Sequence, residues 1–168
     1  TRNGAFAGLP RADELAALLE NERGVLAVGA QRELLYRIRD HITIAIGAAG
    51  VPLKLDVAVP VQNLDRLVRR VRAAFPHGAE LVVFGHLAEG NLHVNVLGAG
   101  EATALLREHV LNAAIDLGGT ISAEHGIGVA KAEWLQRLKG PAAYAVLHAV
   151  KQALDPTNML NPGVLFPR

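Results

Sequence analysis

Residues 84–98 read FGHLAEGNLHVNVLG, two arms closed by a tip at Glu89 and Gly90. Leu92, Val94 and Val96 take every second position of the second arm, and Asn91, His93 and Asn95 take the others. Alternation with a period of two marks a strand with one buried face. With Glu89 and Gly90 as the central residues of a tight hairpin turn, His86 stands directly opposite His93. Paired side chains share one face, with Cβ atoms about 5 Å apart. Glu89 is an imperfect choice for such a turn, since a type I′ geometry needs positive φ and favours Asn or Asp. A slip of one residue would send the two imidazoles to opposite faces.

Upstream, Leu53, Leu55, Val57 and Val59 alternate with Lys54, Asp56 and Ala58, a second half-buried strand stopped by Pro60. Leu64, Leu67, Val68 and Val71 then trace a helix that ends near Pro76. The hairpin arms read as strands over about 80–87 and 91–98, followed by a helix near 101–117, Gly118 and Gly119, and a short strand at 120–123. From residue 53 the order is strand, helix, strand, strand, helix, strand. That is the ferredoxin-like split arrangement, an α+β fold with helices on one face of an antiparallel sheet. Before it, residues 31–49 predict a helix whose apolar stripe is Leu34, Leu35, Ile38, Ile42 and Ile46, and residues 11–22 predict a shorter one. After it, helices at about 128–138 and 141–154 and a proline-containing tail form a C-terminal helical segment.

The 168 residues suit one domain, or a compact domain with a tail. Apolar residues make up 51% and aromatics only 4%, so the core is built from Leu, Val, Ile and Ala. A net charge of +1 leaves no electrostatic footprint for nucleic acid. The helical run Arg66, Arg69, Arg70 and Arg72 reads as a solvated face. With no cysteine, disulfides, thiolate metal sites and a cysteine nucleophile are excluded, which is compatible with a cytoplasmic location. No apolar run approaches the roughly 20 residues of a membrane span. Position 1 is Thr, so the chain reads as an excised piece of a longer protein.

Two histidines on one hairpin face can simply hydrogen-bond or face water. A catalytic zinc site needs three protein ligands and an open position. The third candidate is in residues 118–128, GGTISAEHGIG, where Glu124 and His125 sit among glycines. Glu124 could also do no more than support a helix start. An adjacent carboxylate and imidazole permit a division of labour, one holding metal and the other taking a proton.

Three segments in this order, FGHLAEGNLHVNV, GGTISAEHGIGVAK and LDPTNMLNPGVLFP, closely resemble the C-terminal domain of FAD-linked oxidases, over about residues 10–168. That family includes D-2-hydroxyglutarate, D-lactate and glycolate dehydrogenases, of the vanillyl-alcohol-oxidase superfamily. The resemblance implies a separate N-terminal domain of the same protein that holds most of the FAD. In this chain it implies a substrate part over about 10–125 and a helical part with a tail over about 126–168. Zinc or a similar divalent ion would be held by His86, His93 and Glu124, and His125 would be the general base. Substrate contacts fall on Arg39, Thr43, Lys54 and Asn95, and Asn161 on a residue near the flavin. The hairpin tip departs from the usual Gly-Asp-Gly, reading Ala88-Glu89-Gly90.

The implied reaction oxidises a 2-hydroxy acid to a 2-oxo acid, with hydride passing to FAD. A guanidinium such as that of Arg39 offers a planar, two-pronged donor to the substrate carboxylate. Zinc would lower the pKa of the hydroxyl, whose proton His125 would accept. Without its flavin half the chain would be inactive, and an apolar surface left uncovered would favour self-association. A non-catalytic binding or regulatory module is the alternative, and a zinc hydrolase using the same His, His and Glu is a more remote one.

Overall fold

The computed structural model describes residues 29–167; the helix expected over residues 11–22 lies outside them. Residues up to Ala45 and residues from Ile46 onward form two units. Helix α1, Ala30–Ala49, runs almost as expected, but of its apolar stripe only Ile46 is buried. Leu34, Leu35 and Ile38 are exposed.

From residue 53 onward the fold follows the expected order. Strands β1 (Leu53–Ala58), β2 (Glu80–Phe84) and β3 (Asn91–Leu97) form an antiparallel sheet in the order β1-β3-β2. Helices α2 (Leu64–Ala73) and α3 (Thr103–Asp116) cover one face. There Leu55, Val57, Leu92, Val94 and Val96 meet Leu67, Val71, Leu106, Val110 and Leu111 in a single aliphatic core. Period two in the strands and spacings of three and four in the helices aim these side chains at one another. Arg69 pairs with Asp65 one turn earlier on α2, as a solvated helix face allows.

The fourth strand, expected at 120–123, shrinks to one bridge. Ala58 and Thr120 exchange hydrogen bonds, Ala58 N–H to Thr120 O at 3.0 Å and Thr120 N–H to Ala58 O at 2.7 Å. Beyond it the Thr120 hydroxyl accepts from Ser122 N–H and donates to Ser122 O, while the Ser122 hydroxyl donates to Gly126 O. Such local hydroxyl bonds compete with a ladder, and the chain turns instead of extending. The bridge lies on β1, so the spatial order remains that of the ferredoxin-like arrangement.

The hairpin also differs in register. His93 pairs with Phe84, two residues before the expected His86. A 3₁₀ turn, Leu87–Glu89, closes the loop, and Gly90 takes the positive φ of 71°. The loop is therefore longer than a two-residue turn. Because the shift is by an even number, the paired residues keep their faces, while His86 falls just beyond β2 and lies 5.8 Å from the His93 ring.

Helix α4, Ala132–Leu154, is two helices joined at Gly140, whose φ of 76° and ψ of 162° break the first before Pro141 opens the second. The tail is tied down by buried Asp155, whose carboxylate accepts from Lys151, Met159 N–H and Leu160 N–H. The Lys151 hydrogen bond leads in holding Asp155 below its ordinary pKa, with the two backbone donors adding to it against an opposing effect of burial. A depressed carboxylate contributes fully above its unfolded pKa of about 3.9 and loses that contribution as pH falls through the lower folded value. The Met159 and Leu160 amide resonances are thus expected to hold still down to about pH 4 and to move only in stronger acid. Movement complete above pH of about 4 would show that Asp155 does not hold the tail.

Among the described residues no helix is long and apolar enough to cross a membrane.

Candidate functional site

On β1 and β3 the sheet face away from α2 and α3 is largely polar, while β2 adds Val82 and Phe84 to it. Register pairs Lys54 with Asn95, Asp56 with His93 and Ala58 with Asn91, so these side chains share that face. Asn91 and Asn95 are nevertheless buried, at 2% and 4% exposure. His93 is flanked by Phe84, with ring centroids 5.1 Å apart, and by His86 at 5.8 Å.

Glu124 completes a cluster. Its Oε1 lies 3.0 Å from His86 Nδ1 and 3.8 Å from His93 Nε2, and one ligand atom from each of the three residues lies within 4.8 Å of the others. Around a tetrahedral ion with bonds of about 2.1 Å, neighbouring ligand atoms are roughly 3.4 Å apart, a value these two distances bracket. Two imidazoles and a carboxylate are also the ligand set of a catalytic zinc site. In donor type and spacing the three residues fit a divalent ion. Asn91 Nδ2 donates to the same Oε1 at 2.6 Å and steadies it.

Beneath the cluster lies Asp56, whose side chain is 3% exposed. Its Oδ2 accepts the backbone N–H of Glu124 at 2.8 Å and of His125 at 3.1 Å. Burial works to raise the Asp56 pKa, but these donors, with His125 and Lys131 close by, hold it below the ordinary carboxylate value. For Lys131, burial lowers the pKa against the attraction of Asp56. The His125 ring stacks on His93 at 5.8 Å between centroids, with its side chain 65% exposed. It is open to a ligand in front of the cluster.

Residues 6–165 match the family described as "FAD linked oxidases, C-terminal domain". The chain belongs to that family. It is 34% identical over 155 residues to a mitochondrial D-2-hydroxyglutarate dehydrogenase of Arabidopsis thaliana, covering 87% of this chain and 28% of the relative. A mitochondrial D-2-hydroxyglutarate dehydrogenase of Bos taurus is 35% identical over 139 residues, 80% of this chain and 26% of the relative. A D-2-hydroxyglutarate dehydrogenase of Xanthomonas citri pv. viticola is 35% identical over 153 residues, 82% of this chain and 31% of the relative. The chain thus spans under a third of the length of these relatives.

In this FAD-linked oxidase domain, His86, His93, Glu124 and His125 gather at one place, and Lys54 and Asn95 are paired on the same sheet face. Arg39 and Thr43 lie one turn apart on the exposed part of α1, where Arg39 Nη1 is 3.2 Å from the Asp40 carboxylate. Asn161 sits in the tail at a φ of 47°, its carbonyl accepting from Val164 N–H at 3.1 Å. Alternation alone places Asp56 on the polar side of β1 and Asn91 on the histidine face, and assigns neither a role. Asp is disfavoured in a strand, but Lys54 gives β1 a second charged residue, so the strand's sequence does not single Asp56 out.

Proposed function

We propose that this chain is the substrate- and metal-binding part of an FAD-dependent 2-hydroxy-acid dehydrogenase, with D-2-hydroxyglutarate as the first substrate to test and D-lactate and glycolate next. The observation that carries the reading is the convergence of His86, His93 and Glu124 beside His125 in a chain whose relatives are named for that activity. His86, His93 and Glu124 would hold the metal. When bound, the metal supplies Lewis acidity toward the substrate hydroxyl, and FAD, held mainly by another domain of the same protein with Asn161 at its edge, supplies the hydride acceptor.

The protein's own residues do the rest. His125 takes the hydroxyl proton, and its exposure leaves room for the substrate. Arg39 binds a carboxylate through its guanidinium, with Thr43 and Lys54 assisting, while Asn95 presents an amide to the substrate. The flavin domain would cover the exposed stripe of Leu34, Leu35 and Ile38. Without it the stripe would favour self-association.

Anaerobic addition of D-2-hydroxyglutarate to the complete flavoprotein is expected to bleach its flavin absorbance. Lack of bleaching with all three hydroxy acids would sink the dehydrogenase reading. The metal assignment has its own test. The 168-residue chain is expected to take up zinc at one site, with His93→Ala weakening uptake by more than about 100-fold, beyond what loss of a merely supporting residue does. Equal zinc affinity in wild type and His93→Ala, measured by chelator competition, would remove the assignment.

A further inference from the structure

Two buried acceptors at the cluster, Asp56 Oδ1 and Asn91 Oδ1, lack a hydrogen-bond partner among the described residues, and the first of them faces a ring nitrogen of His93. His93 Nδ1 lies 3.6 Å from Asp56 Oδ1, just outside hydrogen-bond reach. Leaving a buried acceptor without a donor is costly, which favours closing this pair. The competing acceptor for a His93 proton is Glu124 Oε1, on the Nε2 side at 3.8 Å. That oxygen, on a side chain 44% exposed, already receives Asn91 Nδ2 at 2.6 Å. The balance therefore puts the His93 proton on Nδ1.

We propose that Asp56 is the positioning residue of this site. Its Oδ1 fixes His93 as the Nδ1–H tautomer, so that Nε2 faces Glu124 with a bare lone pair. Its Oδ2 pins the turn that carries both Glu124 and His125, through two backbone N–H groups. One buried carboxylate thereby orients a ligand from β3, a ligand from the loop and the neighbouring base. A histidine can ligate a metal only through a nitrogen without a proton, and a carboxylate behind the ring is the usual device that fixes which one. Glu124 stands on a loop with 44% of its side chain exposed, and Asp56 keeps that loop from drifting.

The role is read in two ways, of which only the zinc arm rests on the metal assignment above. A long-range proton–nitrogen correlation spectrum of the metal-free chain, at mildly alkaline pH where imidazoles are neutral, reports the tautomer of His93. The expected spectrum has a protonated Nδ1 and a bare Nε2. Asp56→Asn keeps the size of the side chain but cannot satisfy Nδ1–H and both loop N–H groups with one oxygen. In a variant whose circular dichroism is native, zinc affinity is expected to fall about 10–100-fold and the single tautomer to be lost.

A wild-type chain with the His93 proton on Nε2 overturns the proposal, whether or not any variant folds. So does a folded Asp56→Asn chain with an unchanged tautomer and zinc affinity within about twofold of wild type. A wild-type chain that holds the Nδ1–H tautomer but takes up no zinc overturns the metal assignment and supports the orienting role of Asp56.

Discussion

Replacing His125 with alanine in the complete flavoprotein is expected to lower kcat by about 10²–10⁴-fold with little change in KM. The reason lies in how the residue is held. The hydrogen bond from His125 to Asp56 comes from its backbone N–H at 3.1 Å, while the ring stands 4.0 Å from the same carboxylate, so truncating the imidazole keeps the hydrogen bonds that hold the loop and Glu124. The truncation removes the proposed proton acceptor together with its stacking on His93. Added imidazole should recover part of the rate, because a free base can enter a cavity that opens to solvent where His125 stood. Arg39→Ala is expected to behave oppositely, raising KM about 10–100-fold, as loss of a charge-assisted hydrogen bond to a carboxylate does. A His125→Ala enzyme with kcat within about threefold of wild type would exclude His125 as the base. An Arg39→Ala enzyme with unchanged KM would withdraw the carboxylate assignment.

The proximity of His86 and His93 was legible in the sequence because strand parity survives an even error. His86 and His93 were placed on one face by a hairpin register that the fold does not use, and Phe84 in fact opposes His93. The Leu87–Glu89 turn lengthens the loop by local 3₁₀ bonding, which alternation in the arms cannot report. The strand expected at 120–123 failed for a related reason, since the hydroxyls of Thr120 and Ser122 bond locally and turn the chain. Asp56 was not legible as a site residue. Alternation put it on the polar side of β1, as it does Lys54, but the loop bearing Glu124 and His125 folds over Asp56 and leaves Lys54 exposed. Contacts between residues so far apart in the chain leave no periodic trace. The stripe on α1 shows the reverse, an amphipathic pattern read correctly as a helix whose apolar side stays exposed at Leu34 and Ile38.

Gly90→Ala is expected to destabilise the chain by about 2–5 kcal/mol and to weaken zinc uptake with it. Gly90 ends the hairpin loop at a φ of 71°, a left-handed conformation that costs a residue with a Cβ about 1–2 kcal/mol. A second cost comes from space. A Cβ there would stand 1.9 Å from the Val59 carbonyl oxygen, a backbone atom that cannot swing aside. The approach is close because Val59 N–H donates to Gly90 O at 3.0 Å, locking the end of β1 against the start of β3. Relieving the clash would add about 1–3 kcal/mol and draw Asn91 and His86 away from Glu124. Gly78→Ala separates the two costs. Gly78 has a φ of 86° but nothing within 4 Å of its missing Cβ, so it should lose only the conformational part. The entropy that alanine removes from the unfolded chain is similar at both positions and cancels in the comparison. Denaturant unfolding is therefore expected to rank Gly90→Ala well below Gly78→Ala, with zinc affinity reduced only in the former. Equal losses within about 0.5 kcal/mol would mean that the contact between Gly90 and Val59 does not set the position of the hairpin.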